Sequence, residues 1–219
     1  VNAAGLIPAW NEADRVGPVV AGARAHLPTV YVVDDGSGDG TAAAAEAAGA
    51  TVLRHPANRG KGAALVTGFE RARAEGFDVV VTLDADGQHL PAEIPRLLAA
   101  AERADLVVGN RLAGRAGMPL VRWHTNRLMS RIVSRLAGVR IPDSQCGFRC
   151  LRLAAWGALR VESRNFDFES EILVRAGRAG LRVVAVPVST VYNDHASRIR
   201  PVTDTVRFFR LVGRLAWRR

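Results

Sequence analysis

Short β-branched runs alternate with Ala-rich amphipathic stretches through the first hundred or so residues. Successive strand–helix–strand units of a mainly parallel sheet produce that alternation. Five such runs predict strands at Ala3 to Pro8, Val30 to Asp34, Thr51 to Arg54, Val79 to Leu83 and Leu106 to Gly109, with helices near 14–25, 39–48, 61–75 and 92–103 between them. Ser37 or Asp39 is placed to cap the second helix, Gly49 to end it, and Pro91 suits the first turn of the fourth. The later chain is less regular: a helix over about 120–137, a loop from Asp143 to Gly147, a helix around 167–179, a strand from Arg182 to Val186 and an amphipathic helix after Pro201. With no internal repeat or linker, the expectation is one α/β domain over residues 1–200, followed by an amphipathic basic helix over 201–219.

Composition narrows the class. With 48% hydrophobic and 23% charged residues in 219, the chain can bury a core without staples, which excludes disorder and low complexity. Two cysteines exclude a disulfide scaffold. No apolar run reaches the roughly 18 residues of a membrane span and the first residues lack a signal-peptide pattern, so a cytoplasmic protein is expected. The net charge of +9 is uneven, −5 over residues 1–105 and +14 over 106–219. The second half therefore suits a polyanion or an anionic surface, and the acidic first half suits cations or sugar hydroxyls.

Ligands of open parallel sheets bind at the carboxyl ends of the strands. Pro8-Ala9-Trp10-Asn11-Glu12 follows the first strand and Asp34-Asp35-Gly36-Ser37-Gly38-Asp39-Gly40-Thr41 the second. Either segment could be simple turn and cap chemistry. Gly36-x-Gly38-x-x-Thr41 lacks the third glycine of a dinucleotide fingerprint, and Asp34 and Asp35 would repel a pyrophosphate. Carboxylates there better suit base N–H and ribose hydroxyl groups. Asn58-Arg59-Gly60-Lys61-Gly62 offers cations and flexible backbone at a helix start, a phosphate contact or else a solvated helix end. His55 and Gly62 stand where a Walker A loop needs Gly and Ser or Thr. After the fourth strand, Asp84 and Asp86, one residue apart, and Gln88 present hard oxygen donors to the mouth of the sheet, a pattern that favours a divalent cation over capping. Cys146 and Cys150, without further cysteines, read as packing rather than zinc ligands, and the Phe168-Glu169-Ser170-Glu171 helix start could orient an acceptor or support arginines.

Taken together, Pro8 to Glu12, Asp34 to Ser37, Asn58 to Gly62, Asp84 to His89, Gly109-Asn110-Arg111 and Asp143-Ser144-Gln145-Cys146-Gly147-Phe148-Arg149 resemble the ordered motifs of family 2 glycosyltransferases with the GT-A fold. The last segment resembles the dolichyl-phosphate mannose synthase-like, or polyprenyl-phosphate glycosyltransferase, group in particular. The resemblance implies a single Rossmann-like domain that carries out inverting, metal-dependent transfer from a UDP- or GDP-sugar to a polyprenyl monophosphate. It implies that Pro8, Asn11, Glu12, Asp35, Lys61 and Asp84 surround the nucleotide and that Asp84, Asp86 and Gln88 hold Mg²⁺ or Mn²⁺. Arg111 matches an acceptor-phosphate arginine, and Arg122 and Arg127 lie where the family has further phosphate-binding cations. Tyr192 to Pro201 resembles the loop that closes over the site, with Ser197-Arg198 in place of a usual Ser-Lys or Ser-His, and Trp10 stands where the family usually has Tyr. Asp86, Arg111 and Arg198 are thus the expected catalytic groups.

On this reading the −5 half is the nucleotide and metal side and the +14 half the acceptor side, in peripheral contact with the cytoplasmic face of a membrane through the last helix. Two alternatives predict differently. A family 2 enzyme acting on a saccharide hydroxyl would need a carboxylate base near the acceptor, with Asp143 or Glu169 the candidates. A basic nucleic-acid-binding module would account for the charge, but no RRM, KH or zinc-finger signature accompanies it.

Overall fold

The computed structural model describes residues 1–114, 118–191 and 201–217. In chain order the elements are β1 (Ala3–Ala9), α1 (Ala13–Arg24), β2 (Thr29–Asp34), α2 (Thr41–Ala47), β3 (Thr51–Arg54), α3 (Lys61–Ala74), β4 (Val79–Thr82), α4 (Ile94–Ala101, entered by a 3-10 turn at Pro91–Glu93) and β5 (Leu106–Asn110). A 3-10 turn at Arg111–Ala113 leads to α5 (Leu120–Ala137), β6 (Arg149–Arg152), α6 (Leu153–Trp156), α7 (Phe168–Arg178), β7 (Val183–Pro187) and α8 (Pro201–Trp217).

One seven-stranded sheet runs in the order β3-β2-β1-β4-β6-β5-β7, parallel except for β6, which is antiparallel to both neighbours. Val30, Val32 and Val33 on β2 and Val79, Val80 and Val81 on β4 are buried on both faces of the sheet, the signature of strands covered by helices on either side. α1 packs with α2, whereas α3, which carries the chain back across the sheet from β3 to β4, packs with α6 and α7. β1 lies between β2 and β4, so the direction of winding reverses beside it, and a crevice opens there at the strand carboxyl ends. Close packing holds α3 to the sheet: a Cβ on Gly68 would stand 2.1 Å from Leu6 Cδ1.

All six strands expected from the pattern are present, and the span of α5 is as read from its periodicity. The sequence reading missed β6 and α6. β6 is Arg-Cys-Leu-Arg, too short to show a period and charged at both ends. Its arginines are absorbed by carbonyls: Arg149 donates to Cys146 O, Ser144 O and Glu169 O, and Arg152 to Ala101 O at the end of α4. Capping also differs. Gly40 occupies the N-cap of α2, Asp39 accepts from the Thr41 N–H at 3.0 Å, and Ser37 Oγ instead accepts from the Asn11 N–H at 2.8 Å, tying the β1 loop to the β2 loop.

α8 packs on the domain. Phe208, Leu211 and Leu215 are buried, so these three apolar positions face protein rather than lipid as the sequence reading had them, while Val206, Phe209 and Trp217 remain exposed. Arg178 joins the ends of three helices, donating from α7 to Leu136 O of α5 and Leu215 O of α8. No helix among the described residues is long and apolar enough to cross a membrane.

Candidate active site

A largely shielded ion cluster sits at the reversal point between β1 and β4. Lys61, the first residue of α3, places Nζ 2.5 Å from Asp84 Oδ1 just past β4 and 2.7 Å from Glu169 Oε1 in the first turn of α7. Pro8, Gly147 and Arg149 line the same small cleft. Burial alone would lift the Asp84 carboxyl, but the Lys61 ammonium and His89 hold it well below the usual carboxylate range. Burial would likewise depress Lys61, and the two carboxylates outweigh it, raising the ammonium above its ordinary value. Asp84 and Lys61 are therefore both ionised across the physiological range.

Two neighbours hold Asp84 in place. His89, almost fully buried and tilted against Phe148 with ring centroids 5.3 Å apart, brings Nε2 to 3.3 Å from Asp84 Oδ2. Gly147 leaves room for the carboxylate, because a Cβ there would lie 2.7 Å from both Asp84 carboxylate oxygens. Asp86, one residue past Ala85, accepts the Gln88 N–H on Oδ1 at 3.0 Å through a turn in which Gly87 has φ +76°. The Gln88 carbonyl accepts from the Val191 N–H at 3.0 Å, so the segment entering the expected closing loop is anchored to this turn.

The donor set fits a hard divalent cation. Asp84, Asp86 and Gln88 offer two carboxylates and an amide oxygen at one strand end, the ligand type such ions take. Among the described residues no three His, Cys, Asp or Glu side chains gather as a metal cluster, so an ion here would complete its coordination with ligand or water oxygens.

The residues expected to surround the nucleotide fall into two tied groups. In the first, Asn11 adopts φ +52°, its Oδ1 accepts the Gly38 N–H at 2.9 Å, and the adjacent Glu12 N–H donates to Thr41 Oγ1 at 2.8 Å. Glu12 also pairs with Arg15 at 2.6 Å. In the second, Asp35 is buried with its carboxylate engaged by the chain itself: Oδ1 by the Arg59 N–H at 2.9 Å and His55 Nδ1 at 2.6 Å, Oδ2 by the Gly60 N–H at 2.8 Å. Asp35 thus holds the loop before α3 in shape. Gly60, with φ +96°, and Gly62 pass directly beneath the 163–165 segment, and a Cβ on Gly60 would stand 2.4 Å from Arg164 O.

The arginines expected to bind the acceptor phosphate do not form one group. Arg111 is buried and gripped by the fully buried Asp143, with Nε and Nη2 donating to its two oxygens at 2.8 and 3.0 Å. Arg127 stacks 4.8 Å over the Trp123 ring and lines a separate groove along α5 that begins at Asn110 and Leu112, while Arg122 is half-buried on the first turn of that helix. Arg198 and the Tyr192 to Pro201 loop, apart from Pro201 itself, lie outside the described residues. Cys146 and Cys150 are buried free thiols, each pushed up to about 12 by burial, which fits packing and leaves no thiolate near neutral pH.

The sequence pattern assigns no partner to His89, His55 or Arg149, and leaves Glu169 open between orienting an acceptor and supporting arginines; its carboxylate meets Lys61. The spacing Asp84 to His89 was visible, but a contact between residues five apart in a turn has no periodic signature.

Residues 6–156 match glycosyl transferase family 2, and the chain belongs to that family. It is a glycosyltransferase with the GT-A fold. The undecaprenyl-phosphate mannosyltransferase of Micrococcus luteus is 35% identical over 204 residues, covering 86% of this chain and 83% of that one. The polyprenol monophosphomannose synthase of Mycolicibacterium smegmatis is 34% identical over 233 residues, covering 96% and 87%. Glucosyl-3-phosphoglycerate synthase of Mycobacterium tuberculosis, crystallised with Mn²⁺, UDP and glucosyl-3-phosphoglycerate, has a similar fold with a TM-score of 0.71 at 20% identity, covering 98% of this chain and 78% of that one.

Proposed function

We propose that the protein transfers a sugar from a UDP- or GDP-sugar to a polyprenyl monophosphate, with inversion, at the cytoplasmic face of a membrane to which it binds peripherally. The two relatives above are named for polyprenyl-phosphate mannosyl transfer, which supports the acceptor class. One structural observation favours that acceptor over a saccharide hydroxyl. The two carboxylates that could serve as a base toward a hydroxyl, Asp143 and Glu169, are each committed to a cation, the buried Arg111 and the largely shielded Lys61. A hydroxyl of high pKa needs a positioned base, whereas a phosphate monoester, with a second pKa near about 6, arrives already anionic.

In this reading Pro8, Asn11, Glu12 and Asp35 build the wall against the nucleotide, Asp35 by fixing the backbone of Arg59 and Gly60. Lys61 stands ready to turn from Asp84 toward the departing diphosphate, helped by Arg198. Asp84, Asp86 and Gln88 hold Mg²⁺ or Mn²⁺, which when bound neutralises charge on the diphosphate. Arg111, fixed by Asp143, presents its remaining N–H groups to the acceptor phosphate, with Arg122 and Arg127 as outer cations. Asp86, Arg111 and Arg198 carry the catalytic roles, and no side chain acts as a general base.

The test is transfer measured by mass spectrometry with UDP- and GDP-sugars, Mn²⁺, and either a short polyprenyl phosphate or an alkyl glycoside as acceptor. The reading expects product on the phosphate only, at a rate that levels off above the acceptor's own pKa. Faster transfer to the glycoside hydroxyl would overturn it.

A further inference from the structure

The outer side of α5 carries a feature that the reaction, Arg127 apart, does not use. A groove of about 820 Å³ runs from Asn110 past Trp123 to Pro142 and is lined by Arg127, Arg131, Arg135 and Arg140, with no Asp or Glu among the described residues of its wall. The first three recur every fourth residue and so form a ladder on one face of the helix, and Gly138, in the left-handed region at φ +71°, ends the helix so that Arg140 joins them. Arg131, Arg135 and Arg140 are exposed, and none makes an ion pair among the described residues. Like charges at that spacing cost stability in the free protein. An anion bridging them would relieve the repulsion.

The anion has a second constraint. The same helix exposes Leu120, Val121 and Leu128, and α8, packed against α5, exposes Phe209 and Trp217. A nucleic-acid backbone has no use for apolar side chains beside the cations, whereas the boundary of a bilayer takes both at once. We infer that the α5 groove is a binding site for the phosphate headgroups of anionic phospholipids, and that α5 is a membrane-facing surface of the enzyme. It deepens the proposed function, since a lipid acceptor must be drawn from a bilayer, and the groove starts at Asn110, beside Arg111.

Co-sedimentation of the full chain with vesicles tests this. The vesicles are phosphatidylcholine alone or with phosphatidylglycerol, and the variant is Arg131→Gln/Arg135→Gln/Arg140→Gln, whose exposed positions leave the core untouched. At about fivefold per arginine near an anionic surface, the triple variant should bind the phosphatidylglycerol vesicles about a hundredfold more weakly. Neither protein should bind pure phosphatidylcholine with that affinity. Transfer to a short, water-dispersed polyprenyl phosphate should be unchanged in the variant, and transfer to vesicle-borne acceptor should fall. Unaltered vesicle binding by the triple variant overturns the inference, as does equal binding of wild type to the two vesicle types. Wild-type binding of free glycerol phosphate or duplex DNA as tight as its binding of vesicles at the same salt also overturns it, in favour of a soluble phosphate or a nucleic acid. Failure of wild type to glycosylate any polyprenyl phosphate would instead fault the proposed function, leaving the vesicle-binding comparison intact.

Discussion

Replacing Lys61 by Met removes the cation held between Asp84 and Glu169 while keeping a side chain of similar length. The structure sets the size of the effect. Lys61, Asp84 and Glu169 side chains are 15%, 26% and 9% exposed, so the cluster is largely shielded, and removing Lys61 leaves two carboxylates facing a cleft in which Arg149 is already bonded to three carbonyl oxygens. Breaking a buried pair costs about 3–5 kcal/mol, and the partial exposure of Asp84 puts this one near the lower figure. For a chain of this size about 3 kcal/mol lowers the melting temperature by roughly 6–12 °C. The loss should depend on pH. In wild type the depressed Asp84 contributes stability above its unfolded value near about 4, lost as pH falls through its lower folded value. The raised Lys61 contributes fully below its unfolded value near about 10.4, and that part is lost only as pH rises through its folded value. In the variant Asp84, deprived of the Lys61 ammonium, is destabilising when ionised above its unfolded value near about 4. Melting curves of nucleotide-free protein should therefore show the full gap at pH 7 and a smaller one at pH 2, where wild type has lost part of the Asp84 contribution, and adding Asp84→Asn to the variant should recover most of the loss. A difference within about 2 °C at pH 7, or a gap of the same size at both pH values, would refute the reasoning.

Three further substitutions separate structure from catalysis. Arg111→Ala leaves the fully buried Asp143 unpaired and should cost about 3–5 kcal/mol in a denaturant titration, with Asp143→Asn restoring part of it; Arg111→Lys, which keeps the charge but loses the fork, is then the variant in which to look for an acceptor defect. Gly147→Ala should displace the Asp84 carboxylate and cut transfer by about a hundredfold, while the melting temperature falls by only a few degrees, because the group that must move is the end of a side chain. Arg214→Gln frees α8 from Ser163 Oγ and the buried Glu171, and with Arg214 a third exposed the cost should be about 1 kcal/mol by chemical unfolding.

The first half of the fold was legible because each unit is regular on its own: a β-branched run, a strand-end turn and an Ala-rich helix, all local in sequence. The acidic pair Asp84 and Asp86 was legible for the same reason, being adjacent and at a strand end. What could not be read were pairings that the topology makes between distant segments. Lys61 and Glu169 are 108 residues apart, Arg111 and Asp143 32, and neither separation has a period or a composition signal. The antiparallel β6 was hidden because buried carbonyls satisfy its arginines, so a strand at the heart of the sheet reads as a charged loop. α8 showed its amphipathic stripe, but a stripe does not say whether protein or lipid covers it, and here protein covers Phe208, Leu211 and Leu215.

The central claim is that Asp84 and Asp86 make nucleotide binding depend on a divalent ion, and calorimetric titration tests it most directly. UDP or GDP should bind wild type in Mn²⁺ and should lose at least about tenfold in affinity both in EDTA and in Asp86→Ala, a variant whose melting temperature stays near wild type because Asp86 is partly exposed and bonds only within its own turn. Unchanged nucleotide affinity in Asp86→Ala, or in EDTA, would contradict the account.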